Sequence, residues 1–84
     1  MSQQTKKVTV YYTNSCVYCH KAMEFMDSKG VSYTAKNVQE NQEYAKEMFD
    51  KSRQLAVPVI MIDDELLPPG YNQALLASKL GLAS

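Results

Sequence analysis

Two thiols, in the run Cys16-Val17-Tyr18-Cys19, carry the most reactive chemistry this chain offers, and they are its only cysteines. Just before them, Lys7 to Tyr12 (KVTVYY) alternates β-branched and aromatic residues as a strand does. Just after, Cys19, Ala22, Met23 and Met26 recur at three- and four-residue spacing, which predicts one face of a helix over about Val17–Lys29. Asn14 and Ser15, at the join, are helix-capping types. Both cysteines therefore fall on the first turn of a helix that leaves the carboxyl end of a strand. Unpaired backbone N–H groups and the positive end of the helix dipole stabilise an anion there. Cys16 should ionise well below the usual thiol range. Cys19, a turn deeper on the apolar face, should be less exposed and suited to attack a mixed disulfide from within. The i, i+3 spacing brings the two Cα atoms to about 5–6 Å, a separation that a disulfide tolerates.

Few other chemistries find support. The 84 residues balance nine basic against nine acidic side chains, interspersed, so nothing attracts a nucleic acid or an anionic membrane. No apolar run approaches the roughly 18 residues of a membrane span. The first residues are polar and basic and lack the apolar core of a signal peptide. The expectation is a soluble, cytoplasmic monomer, with residues 1–6 frayed and 7–82 a single domain. Two cysteines this close cannot staple a fold; in a reducing compartment they read as a redox dithiol. His20 is a candidate base, but the helix end already serves to ionise Cys16, and a first-turn residue facing solvent is expected.

The remaining elements must position that dithiol. Gly30 marks the end of the first helix. Val31 to Asn37 alternates, with Val31, Tyr33 and Ala35 on one face, and predicts a second strand, parallel to the first through a right-handed crossover. From about Asn41 to Ser52 a helix follows, with Tyr44, Met48 and Phe49 as its apolar stripe and Lys46 and Asp50 as a surface pair. Val57 to Asp63 is the most strand-like run; Asp63-Asp64 turns it back into Glu65-Leu66-Leu67, an antiparallel hairpin. Pro68-Pro69-Gly70 breaks the sheet, and Asn72 caps a last helix with Leu75, Leu76 and Leu80 inward, ended by Gly81. Pro58 cannot donate a ladder bond; a cis bond after Val57 would account for it.

This β-α-β-α-β-β-α order, with Cys16-Val17-Tyr18-Cys19, Val57-Pro58 and Gly70-Tyr71-Asn72 in sequence, resembles the glutaredoxin family of thioredoxin-like proteins over about residues 7–81. The resemblance implies an α/β thioredoxin-like fold, a four-stranded mixed sheet flanked by three helices. It implies Cys16 as nucleophile and Cys19 as resolving thiol. Tyr18 keeps the aromatic of the common Cys-Pro-Tyr-Cys form, and Val57-Pro58 becomes a cis-proline loop whose Val57 backbone pairs with an incoming peptide. Gly70, Tyr71 and Asn72 complete the implied substrate-binding set. No tightly bound cofactor is implied. Disulfide-bearing proteins are the implied substrates, and glutathione or thioredoxin reductase the electron source.

The departures from the family are specific. Val17 replaces the usual proline, which should shift the redox poise. Thr13 stands where a lysine commonly reaches the glutathione carboxylate, Ala56 replaces a threonine, and Asn72 replaces an acid that meets the glutathione ammonium. Asn72 can cap a helix but supplies no charge. Lys21, Lys51 and Arg53 are expected on solvated faces. The chain also resembles glutaredoxin-like hydrogen donors of ribonucleotide reductase, recharged by thioredoxin reductase, and the lost charges favour that version. A rival is an iron–sulfur cluster bridged between two chains; Cys16, Cys19 and His20 of one chain are too few for a closed site. A third is an interaction module whose dithiol is vestigial.

Overall fold

The computed structural model describes residues 7–63, 65–68 and 70–81. Val8–Tyr12 forms β1, Val17–Ser28 α1, Thr34–Asn37 β2, Gln42–Ser52 α2, Val59–Ile62 β3, Glu65–Leu66 β4 and Gln73–Leu80 α3. The element order is the one the sequence predicts. Expectations for residues 1–6, for Asp64 in the hairpin turn, for Pro69 in the sheet break and for a domain end at residue 82 lie outside the described residues.

The strands make one mixed sheet in the order β2-β1-β3-β4. Val10 of β1 lies opposite Ala35 of parallel β2 and opposite Ile60 of antiparallel β3. Two-residue alternation then sorts the side chains into two layers. Val8, Val10, Ile60 and Ile62 pack with Ala22 and Met26 of α1 and Leu76 of α3. Tyr11, Val59 and Met61 pack on the other face with Met48 of α2. Every residue of β3 is buried because both its faces are covered.

Local bonding shortens the second strand. Gly30 adopts φ 70°, its N–H donates to the Asp27 carbonyl, and Val31 N–H donates to the Met26 carbonyl at 2.9 Å. That is a Schellman closure of α1, and it consumes the first residue expected in the strand. β2 therefore starts at Thr34, and Ala35 is exposed on this edge strand rather than buried with Val31 and Tyr33. β3 likewise pairs from Val59, after the cis Val57-Pro58 bond. On α2, Met48 is buried and Tyr44 half-buried, but Phe49 is turned out and lies 5.5 Å from the Arg53 guanidinium. Phe49 thus belongs to the helix flank, not the core stripe. Lys46 and Asp50 are not among the ion pairs of the described residues; Lys36 with Glu47 and Lys79 with Glu65 are.

Candidate active site

The start of α1 is built around sulfur. Cys16 N–H donates to the Thr13 carbonyl at 3.3 Å, closing a turn that puts Cys16 itself, not Asn14 or Ser15, at the cap position. Its backbone is extended (φ −80°, ψ 105°), and its Sγ accepts the backbone N–H of Cys19 at 3.1 Å. A sulfur therefore takes the place of the oxygen that usually caps a helix. No acidic residue occupies the first turn to oppose an anion. The two cysteines are joined as a disulfide with Cα atoms 5.2 Å apart. Cys19 is fully buried beside Ala22 and Met26, while Cys16 is half-exposed. Val17 and Tyr18 between them are 62% and 59% exposed, with the Lys21 ammonium 5.6 Å from the Tyr18 ring.

Sheet register sets what surrounds the dithiol. Tyr11 lies opposite Val59, so the end of β1 that leads into α1 adjoins the start of β3. Val57-Pro58, in the cis form, enters β3 at that same end of the sheet, with Pro58 buried and Val57 packed against the α2-side core. Asn72 caps α3 by accepting the Leu75 N–H at 3.0 Å, worth about 1 kcal/mol. Tyr71 packs against the core under α1 and α3, where burial raises its hydroxyl pKa, and donates to Gln73 Oε1. A groove of about 550 Å³ between α1 and the start of α3 is lined by Lys21, Phe25, Lys29 and Tyr71, among others. Gly70, at φ 89°, and Asn72 line a smaller cavity of about 160 Å³ beside Ile60 and Leu76. Among the described residues no group of three or more His, Cys, Asp or Glu is placed to hold a metal ion.

His20 is exposed, as expected, yet not idle: its Nε2 meets the Asn14 carbonyl at 2.9 Å and its ring lies edge-on to Tyr12. Asn14 in turn is bonded to Asn37, Gln39 and Glu40. Sequence reasoning missed this cluster, because Asn37, Gln39 and Glu40 lie 23 to 26 residues beyond Asn14. The one local signal was Asn37 ahead of Gln39 and Glu40, whose N–H groups its Oδ1 accepts in an Asx turn.

The glutaredoxin family model matches residues 8–67, from the first residue of β1 to just past β4. The chain belongs to the glutaredoxin family. It is 38% identical to glutaredoxin 3 of Escherichia coli over 56 residues, 67% of this chain and 68% of that one. It is 34% identical over 67 residues to a glutaredoxin-like 8.6 kDa protein in the rubredoxin operon of Clostridium pasteurianum, covering 80% of this chain and 88% of that one. Among solved structures, the glutaredoxin-like protein NrdH-redoxin from Escherichia coli superposes with a TM-score of 0.73 at 24% identity, over 86% of this chain and 92% of that one. The thioredoxin-like fold implied by the sequence is thus shown, and the family is one of thiol oxidoreductases. Cys16 to Cys19 and Val57-Pro58 lie inside the matched span; Gly70, Tyr71 and Asn72 lie beyond it.

Proposed function

We propose that this glutaredoxin reduces protein disulfides and glutathione mixed disulfides with Cys16 as nucleophile and Cys19 as resolving thiol. The inequality of the two sulfurs carries the reading: one is half-exposed at a helix cap with an N–H directed at it, the other buried a turn behind. In the reduced protein the Cys16 thiolate attacks one sulfur of a substrate disulfide, and the other sulfur leaves as a thiolate that takes up a proton. Cys19 then loses its proton and attacks the Cys16 sulfur of the mixed disulfide. The Cys16–Cys19 bond forms, the substrate departs as its second thiol, and two electrons have moved to the substrate. Tyr18 and Val17 form the apolar surround that a substrate meets, and the Val57 backbone offers strand-like pairing to it. Two electrons from a reductant reopen the disulfide, and a reducing compartment such as the cytoplasm suits the cycle.

A second reading concerns that reductant. Thr13 and Asn72 carry no charge at positions where glutathione contacts are expected. Each missing charged hydrogen bond removes about 1.5–3 kcal/mol, roughly ten- to hundredfold in affinity. That supports recharging by thioredoxin reductase, the arrangement of a hydrogen donor to ribonucleotide reductase. The Escherichia coli NrdH-redoxin is described as having a thioredoxin-like activity profile. An NADPH-coupled disulfide-reduction assay, run once with glutathione and its reductase and once with thioredoxin reductase, tests both readings. Turnover in neither arm contradicts the oxidoreductase reading, and turnover with glutathione alone contradicts the second. A cluster-bridged dimer would need thiols from a second chain and from glutathione; iron content after anaerobic purification checks it.

A further inference from the structure

All four polar groups of Asn14, two residues before Cys16, are engaged. Its carbonyl accepts from His20 Nε2 at 2.9 Å, and its N–H donates to Gln39 Oε1 at 3.0 Å. Its Oδ1 accepts from Asn37 Nδ2 at 2.7 Å, and its Nδ2 donates to Glu40 Oε2 at 2.9 Å. Asn37 is itself held, because its Oδ1 accepts the N–H groups of Gln39 and Glu40 at 2.9 and 3.2 Å, and the neighbouring Val38 N–H donates to the Tyr12 carbonyl at 2.9 Å. The loop between β1 and α1 is therefore gripped from α1 by His20, from the end of β2 by Asn37 and from the β2–α2 turn by Gln39 and Glu40.

An exposed asparagine needs none of this, since water satisfies its groups without ordering four other side chains. The arrangement instead removes freedom from the three residues that set where the Cys16 sulfur stands. Asn14 O can only accept, so His20 Nε2 carries the proton. Nε2 donates whether the ring is neutral or cationic, so the grip holds across the range in which a thiolate forms.

We propose that His20 and Asn37 are positioning residues for thiol–disulfide exchange. They fix loop 13–15 so that the Cys16 sulfur stays in line with the Cys19 N–H at the cap of α1. The proposal rests on the reading of Cys16 as the attacking thiol.

The test follows the pH dependence of iodoacetamide alkylation of Cys16 in the reduced protein, with the melting temperature measured alongside. Asn37→Ser keeps an acceptor for the 37–40 turn, draws the donor back from Asn14 because the hydroxyl ends one bond nearer the backbone than the amide nitrogen, and adds no charge. His20→Ala removes the other grip, and His20→Gln replaces it with an uncharged amide donor of similar reach. Glu40 is unchanged throughout. Asn37→Ser and His20→Ala should each raise the Cys16 ionisation midpoint by about half to one pH unit, costing roughly three- to tenfold in alkylation rate at low pH, with rates converging at high pH. His20→Gln should restore most of the loss. Titration curves that overlay the unaltered protein's while the melting temperature falls would overturn the proposal, and so would a His20→Gln variant as impaired as His20→Ala, which would point to lost charge. The comparison among variants stands apart from turnover: if the unaltered Cys16 titrates as a free thiol, the proposed function fails, whatever the variants do relative to it.

Discussion

The Cys16 sulfur accepts the Cys19 N–H at 3.1 Å, whereas the Cys19 sulfur is buried in the core one turn further along the same helix. One residue spacing thus gives two thiols of opposite character. The outer sulfur is half-exposed at the cap of α1, and the inner one is shielded behind it.

That division predicts unequal mutants. Cys16→Ser should abolish disulfide reduction. Cys19→Ser should leave the first attack intact and trap a mixed disulfide, visible by intact mass as one added thiol after incubation with oxidised glutathione. Trapping on Cys19 in the Cys16→Ser protein, at a rate matching the other variant, would reverse the assignment.

The uncharged Thr13 and Asn72 predict a gain of function. Thr13→Lys and Asn72→Asp should each lower the KM for glutathione in the coupled assay by about ten- to a hundredfold, since a restored charged hydrogen bond is worth about 1.5–3 kcal/mol. Aspartate also caps α3 as well as asparagine, so the fold should tolerate the change. An unchanged KM would mean that these positions do not face glutathione.

On the opposite face, Glu47 accepts from the Lys36 ammonium and the buried Tyr11 hydroxyl. The Lys36 bond, then the Tyr11 bond, hold its carboxyl below the ordinary carboxylate value, while burial and the Glu47 bond push the Tyr11 hydroxyl well up. A carboxylate with a depressed folded pKa stabilises above its unfolded value and loses that contribution as pH falls through the folded one. Glu47→Gln should therefore cost about 1 kcal/mol near neutral pH, a figure kept small by partial exposure. The cost should shrink as the buffer is taken below about pH 4.5. Urea unfolding of both proteins across that range checks it, and a difference independent of pH would contradict the role given to the charge.

Much of the fold was legible because it is written in short-range pattern. β1, the apolar face of α1 and the uninterrupted β3 each declare themselves within a few residues. Cys16 and Cys19 were legible for the same reason. What escaped depends on competition or on distance. Val31 looks like strand until its N–H is spent on the Met26 carbonyl, and Phe49 looks like core until α2 is set on the sheet. Asn14 looks like a helix cap, yet the turn from the Thr13 carbonyl gives that position to a cysteine, and Asn14 reaches instead to Asn37 and Glu40. No pattern inside residues 12–20 announces partners more than twenty positions away.

The most direct test is a titration of the Cys16 thiol in the reduced protein, followed by the ultraviolet absorbance of the thiolate and assigned by its loss in Cys16→Ser. A sulfur held at the open end of α1 should be half-ionised below about pH 7.5. A midpoint at or above about 8.5, the value of an unassisted thiol, would contradict the account.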